Sequence, residues 1–364
     1  MKLRKKYRVF IFQPYPKFGG ADRSIIRLIN GNKSADFTLV SLTKCNYSKY
    51  LNKKIEYLEI KSSRVLFSFF KLREKIKYII NKNKYDKNIF ISNQNFANII
   101  SIIALLGFNH IKKILVERNN PIELDFIKNY KNKFIKKLIP ITYKYADKII
   151  GISNELSKDL KLLCKKSVTT IYNPSFDEKF YKINRKKRNN KNKIILCVAR
   201  FEKQKNHLML LRAFKLSLEK ISSKLLLVGY GSQKKIITKF ISDNNLKNNV
   251  EIIKNPKNVY SFYKKADLFV LTSLYEGFGN VLVEAGMFKV PIISTNCKSG
   301  PKEILGNGKF GDLVGINQTE RLAYLIVKNL RNPNTTKISR MFKSLKRFNI
   351  KTHIKNYEKV FKKL

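Results

Sequence analysis

Tyr275–Gly286, YEGFGNVLVEAG, follows directly on the apolar run Leu268–Leu271. A short apolar run, a glycine-rich turn and then a helical pattern read as a strand-to-helix junction at the edge of a parallel sheet. The free backbone N–H groups and positive dipole end of such a helix can hold an anion or sugar hydroxyls. Asn280 and Glu284 are four apart and share one helical face. Glu276 precedes the helix and can accept hydrogen bonds from a sugar, with Gly277, Phe278 and Gly279 forming the turn. A plain junction with two solvated glutamates fits the same residues, and both readings stay open here.

Outward from this stretch the scheme repeats. Ile194–Ala199 is apolar throughout and precedes a helical pattern from Asn206 to Leu218. Leu225–Val228, Val250–Ile253 and Val290–Ser294 are further runs of the same kind. The first half opens likewise, with Val9–Phe12, a turn at Gly19-Gly20 and a helix from Asp22. Runs at Phe37–Leu42, Asn88–Ser92, Ile114–Val116 and Lys148–Ile152 follow. Strands apolar on both faces, alternating with helices, predict two doubly wound α/β domains whose ligands sit at the carboxyl ends of the strands. The polar stretch Ile183–Asn192 reads as a linker. The expected domains are 1–184 and 193–345, with a helix over 346–364. That helix aligns Ile350, Ile354, Tyr357 and Phe361 on one face, so it should dock on something.

Two further loops carry candidate residues. Ala199–His207, ARFEKQKNH, places Arg200 and Lys205 at the carboxyl edge of the second sheet. Two cations there suit a diphosphate, the arginine forking onto oxygens and the lysine acting as a point charge. An ordinary basic loop is the alternative, and His207 reads as the start of a helix. Lys17–Arg23, KFGGADR, lets backbone approach a ligand closely at Gly19-Gly20. Gly229-Tyr230-Gly231 lacks the third glycine of a dinucleotide fingerprint.

Composition sets the bounds. A chain of 364 residues, 43% hydrophobic, is long enough for two packed cores. Its 4 cysteines stand far apart beside 3 histidines, which excludes a disulfide framework or zinc ribbon and fits a reducing cytosol. No window reaches the ~18 apolar residues of a spanning helix. Ala97–Phe108 comes nearest, and it reads as a buried helix. Nor is there a signal-peptide core behind the basic start MKLRKKYRVFIFQ. The net charge of +51 suggests nucleic acid first, but it is spread evenly, +28 over residues 1–190 and +23 over 191–364. A nucleic-acid footprint should cluster. Compositional drift or an anionic membrane surface accounts better for the spread. Phe126–Ile141 sharpens the second option, since Ile127, Tyr130, Phe134, Leu138 and Ile141 form one stripe with lysines mostly beside it. A helix packed on the first sheet would show the same stripe.

In this order the motifs resemble the retaining glycosyltransferases of family 4, of bacterial surface-glycan type. GGADR is similar to that family's GGAER-like loop, Arg200 and Lys205 to its R-x4-K pair, and Glu276 with Glu284 to its E-x7-E motif. The resemblance implies the GT-B architecture: two Rossmann-like domains facing a cleft, with the C-terminal helix docked back. It implies transfer of a hexose or N-acetylhexosamine from a nucleotide-sugar, UDP-linked by preference, to a saccharide or lipid-linked acceptor in surface polysaccharide synthesis. Arg200, Lys205 and Glu276 become catalytic candidates. Gly19, Gly20, Gly277, Phe278, Gly279, Asn280 and Glu284 become donor-binding ones. No cofactor or metal is expected, since no Asp-x-Asp occurs and Glu123-Leu124-Asp125 is the near miss. Many members carry a histidine in the first domain near the reacting sugar. This chain reads Glu117-Arg118-Asn119, which becomes the acceptor-side candidate, and His110 stands before that strand. The expected setting is cytoplasmic and peripheral on the inner membrane face, without nucleic acid. A basic nucleic-acid-binding protein and a GT-B nucleotide-sugar epimerase are the alternatives.

Overall fold

The computed structural model describes residues 7–16, 19–45, 47–52, 54–82, 85–121, 124, 130–177, 192–254 and 256–364. They form two compact units, one of 1–174 with 350–364 and one of 175–349. Of the polar stretch 183–192 only Asn192 is among the described residues. Glu123, Asp125 and the segment 126–129 likewise lie outside them.

The first unit holds a seven-stranded sheet. Its strands are β1 (Tyr7–Phe12), β2 (Ala35–Ser41), β3 (Glu56–Glu59), β4 (Lys87–Asn93), β5 (Ile111–Glu117), β6 (Lys148–Gly151) and β7 (Val168–Thr170). Their order is β3-β2-β1-β4-β5-β6-β7, and all pairs are parallel. All six side chains of β1 are buried because helices cover both faces. On one face the helices Phe69–Lys82, Asn95–Ala104, Tyr130–Tyr143 and Asn154–Cys164 pack each on the next, as right-handed crossovers from β3 through to β7 require. Asn95–Ala104 is the buried helix expected within Ala97–Phe108. Among the described residues no helix is long and apolar enough to cross a membrane.

The other side carries the helix Gly20–Gly31, against which the C-terminal helix Ile350–Lys363 docks. Of the expected stripe, Tyr357 and Phe361 are buried, with the Phe361 ring 6.0 Å from that of Tyr7. Ile354 lies over Gly31 where a Cβ would stand, so the two helices meet at a glycine. His353 is buried beside them, its Nδ1 2.7 Å from the Tyr172 carbonyl oxygen. Burial pushes its pKa down to about 3, and the ring is neutral.

The second unit holds a six-stranded parallel sheet: β8 (Lys193–Val198), β9 (Ser223–Val228), β10 (Val250–Ile253), β11 (Leu268–Leu271), β12 (Ile292–Thr295) and β13 (Asp312–Val314). The order is β10-β9-β8-β11-β12-β13. Ile195, Leu227, Leu268, Val270 and Ile293 meet Leu210, Phe214 and Ile326 from the covering helices in one core. Both sheets are doubly wound, as the sequence predicts. It passes over β3, β7 and β13, edge strands of three or four residues that are partly exposed and carry no continuous apolar run.

Candidate active site

The second sheet reverses its strand order between β8 and β11, which are hydrogen-bonded neighbours. Loops leaving their carboxyl ends start side by side, at the place where open parallel sheets bind ligands. Those loops carry the two densest motifs of the sequence, Ala199–His207 and the opening of Tyr275–Gly286.

Backbone and side chains stitch the two loops together. Leu274 N–H donates to the Gln204 carbonyl at 2.8 Å, and Gln204 Nε2 donates to the Tyr275 carbonyl at 2.8 Å. Thr272 Oγ1 donates to the Lys205 and Asn206 carbonyls at 3.0 and 3.1 Å. In the frame so built, Lys205 Nζ lies 2.5 Å from Glu276 Oε1, with side chains only 13% and 8% exposed. Ser273 Oγ donates to the same carboxylate oxygen at 2.6 Å. Removing either charge strands the other in a site with little water. Arg200 is exposed on the same loop.

The helix Asn280–Met287 starts behind Gly279, whose φ of 96° is left-handed and favours glycine. Gly300, with φ 99°, packs so tightly that a Cβ would overlap the Phe278 carbonyl oxygen. The Phe278 ring itself turns inward, edge-on to Phe348 with centroids 5.2 Å apart. Its backbone lines the turn while its side chain serves packing. Glu284 is buried, and Tyr263 OH donates to its Oε2 at 3.0 Å. Tyr263 is fully buried and stacks on Phe288 at 5.7 Å and 7°. Asn280 Oδ1 accepts from Ser175 Oγ at 2.7 Å. The neutral partners Thr272, Ser273 and Tyr263 escape sequence reasoning. Only the spacing of Ser273, three residues before Glu276, hints at one of them.

His207 opens the helix His207–Leu218, as expected. Its ring lies edge-on to Phe201 at 5.0 Å, neither ring nitrogen has a hydrogen-bond partner, and burial lowers its pKa to about 4. It is a packing residue. The Gly229-Tyr230-Gly231 turn seats the Arg200 loop instead of a dinucleotide. Cβ atoms on its two glycines would meet the carbonyl oxygens of Ala199 and Phe201. Ser232 Oγ donates to Glu202 Oε2 at 2.7 Å, which holds that carboxyl below its usual pKa.

In the first unit the reversal lies between β1 and β4. Gly19 and Gly20 are exposed there. Asp22 shapes their turn: its Oδ2 accepts from Gly19 N–H at 2.6 Å, and its Oδ1 accepts from Gln13 Nε2 at 2.9 Å and from Tyr47 OH. The acceptor-side trio at the end of β5 is split three ways. Glu117 is fully buried under Tyr143, whose OH donates to Oε2 at 2.6 Å, and burial pushes its pKa up to about 7. Arg118 is buried too, donating to Asn93 Oδ1 at 3.0 Å and Asn173 Oδ1 at 3.1 Å. Asn119 alone is exposed, and His110 precedes β5 on the surface.

Residues 179–347 match the family model described as glycosyl transferases group 1. The chain is 33% identical over 266 residues to the uncharacterized glycosyltransferase MJ1059 of Methanocaldococcus jannaschii, covering 66% of this chain and 62% of that one. It is 30% identical over 227 residues, 61% of each chain, to the Campylobacter jejuni N-acetylgalactosamine-N,N'-diacetylbacillosaminyl-diphospho-undecaprenol 4-alpha-N-acetylgalactosaminyltransferase. The matched stretches thus span about three fifths of those two relatives. In fold it is similar to Anabaena HepE, crystallised with UDP and glucose, at TM-score 0.79 and 17% identity over 98% of this chain and 100% of that one. The pair of parallel sheets is the GT-B architecture, and over residues 179–347 the chain is similar to the group 1 glycosyl transferases.

Proposed function

We propose that the chain is a retaining, metal-independent glycosyltransferase that moves a hexose or N-acetylhexosamine from a UDP-sugar to a saccharide or lipid-linked saccharide in surface polysaccharide synthesis. The observation that carries this reading is the Lys205–Glu276 pair at the reversal point of the second sheet, where two motif loops meet. Lys205 and Arg200 neutralise the diphosphate as it departs, the task a divalent cation performs elsewhere. Glu276, with the N–H groups of Gly277–Gly279 at the start of the Asn280 helix, orients the donor sugar. Glu284 takes the ribose hydroxyls. Gly19 and Gly20 offer exposed backbone, and Arg118 stands on the acceptor side. The UDP bound to HepE and the polyprenyl-diphosphate acceptor named for the Campylobacter relative support the choice of donor and acceptor class. The enzyme works in the cytoplasm, held on the inner membrane face by charge.

The test is a thermal-shift screen of nucleotide-sugars, since a ligand of the folded state stabilises it by mass action. Protection by UDP-sugars should be followed by transfer to a lipid-linked saccharide in the presence of EDTA. Turnover of the nucleotide-sugar with no acceptor present would favour an epimerase. Tight, steeply salt-dependent binding of duplex DNA without any nucleotide-sugar effect would favour a nucleic-acid protein.

A further inference from the structure

Large apolar side chains reach solvent unevenly in this protein. Eighteen of them are exposed among the described residues, and the second unit carries only Leu216, Tyr230, Ile236 and Tyr324. Eleven lie on the four-helix layer of the first unit and the turns at its helix ends. Scattered exposed apolar residues are ordinary, but such a concentration on one layer marks an interaction surface.

Two helices and the turns at their ends carry most of it. Phe70 and Tyr78 project from Phe69–Lys82, each 67% exposed, and Phe67 stands in the turn before it. On Tyr130–Tyr143 Ile135 and Ile139 are buried, whereas Tyr130, Phe134 and Ile141 are exposed, Tyr130 at 92%. Of the stripe read in Phe126–Ile141, the described members Tyr130, Phe134 and Ile141 therefore lie off the buried side of this helix, with Leu138 half-buried. Lys71 and Lys77 flank the exposed rings on the first helix, and Lys133 and Lys137 on the second. Glu74 is the single acid of the two helices.

We propose that this aromatic and lysine face docks on a bilayer containing anionic lipid, inserting its rings at headgroup depth while the lysines pair with lipid charge. The charge complementarity selects the occupant. Lysines are depleted from protein–protein interface cores, whereas rings with lysine flanks suit the apolar–anionic boundary of a leaflet. The proposal deepens the membrane-surface part of the reading above and rests on that part alone. It adds an apolar component that charge by itself would not supply. Salt screens the lysine contribution and leaves ring insertion intact.

The experiment is flotation of the full chain with vesicles of phosphatidylcholine, alone or mixed with phosphatidylglycerol, at low and high salt. The protein should float with the mixed vesicles and retain a bound fraction at high salt. Phe67→Ser/Phe70→Ser/Phe134→Ser should lower that residual binding by about tenfold or more. Lys133→Glu/Lys137→Glu should remove the preference for anionic lipid. These side chains are exposed, so folding should persist, checked by circular dichroism and by UDP protection against heat. No flotation of the wild type, or unchanged high-salt flotation of the phenylalanine variant, would overturn the proposal. A dimer that the same substitutions break, without flotation, would assign the face to a second copy and overturn it as well. Lost UDP protection in the wild type would instead strike the glycosyl-transfer reading.

Discussion

Lys205 Nζ lies 2.5 Å from Glu276 Oε1, so the cation proposed for the diphosphate and the carboxylate proposed for the sugar form one ion pair. Each residue is the other's counter-charge in a site where Ser273 supplies the remaining short contact to Glu276. Lys205→Ala should lower turnover by about 10²–10³-fold. Because the pair acts as a unit, Lys205→Ala/Glu276→Gln should cost much less than the two single losses multiplied. Steady-state rates decide this. Wild-type rates in Lys205→Ala, or a strict need for added Mn²⁺ or Mg²⁺, would remove the role.

Arg200 is exposed and stands outside that pair. Arg200→Ala should therefore cut turnover by a similar factor while leaving stability within about 0.5 kcal/mol. Lys205→Ala should lower the melting temperature as well, since it leaves Glu276 buried without its cation. Calorimetric melting of the two variants side by side separates an exposed phosphate ligand from a buried partner.

Tyr263 holds one oxygen of Glu284 at 3.0 Å. If that carboxylate takes the ribose, Glu284→Ala should weaken UDP-sugar binding with a smaller effect on the rate at saturation. Tyr263→Phe should follow in the same direction by several-fold, the size of one hydrogen bond of about 1 kcal/mol. Titration calorimetry showing unchanged affinity in Glu284→Ala would count against the assignment.

The doubly wound pattern was legible because strands covered on both faces write themselves as unbroken apolar runs, as in Phe10–Phe12 and Leu268–Leu271. Edge strands escape that logic: Glu56–Glu59 has a glutamate at each end and no buried side chain, because an edge strand meets water. Charged candidates stand out, so Arg200, Lys205 and Glu276 in their loops and Glu284 on the Asn280 helix could be picked out by type and position. Their neutral partners could not: Ser273 and Thr272 look like any strand end, and Tyr263 lies 21 residues before Glu284. Spacing also misleads at the end of β5. Glu117, Arg118 and Asn119 are adjacent in the chain, yet two are buried and only Asn119 meets solvent.

Gly300 tests whether the turn before the Asn280 helix is rigidly seated. Its φ of 99° is strained for any other residue, and the Phe278 carbonyl occupies the space a Cβ needs. Gly300→Ala should cost about 2 kcal/mol or more and reduce donor affinity through displacement of Phe278–Gly279. Gly308→Ala, also at positive φ but with nothing nearer to its Cβ than the Gly311 carbonyl oxygen at 3.9 Å, should cost only the backbone strain. Equal melting temperatures for the two variants would show that the Phe278 contact is soft.

Glu117 gives the first unit a pH signature. Burial raises its pKa from 4.5 to about 7, so between those values the folded state keeps a proton that the unfolded chain has released. Stability from this group is complete below pH 4.5 and is lost as pH rises to about 7, some 3 kcal/mol in all by the usual conversion of about 1.4 kcal/mol per unit. His353 works with the opposite sign. Its pKa falls from 6.5 to about 3, so stability drops as pH falls below 6.5 and the unfolded chain takes up the proton. The two slopes oppose each other between pH 4.5 and 6.5, and Glu117 alone acts from there to about 7. Glu117→Gln keeps an acceptor for Tyr143 OH and removes the titration. The variant should therefore gain stability relative to the wild type steadily from pH 4.5 to about 7, and the gap should then hold level. Urea unfolding at a series of pH values, followed by a probe confined to the first unit, measures that gap. A difference that does not change with pH would mean that Glu117 is ionised throughout.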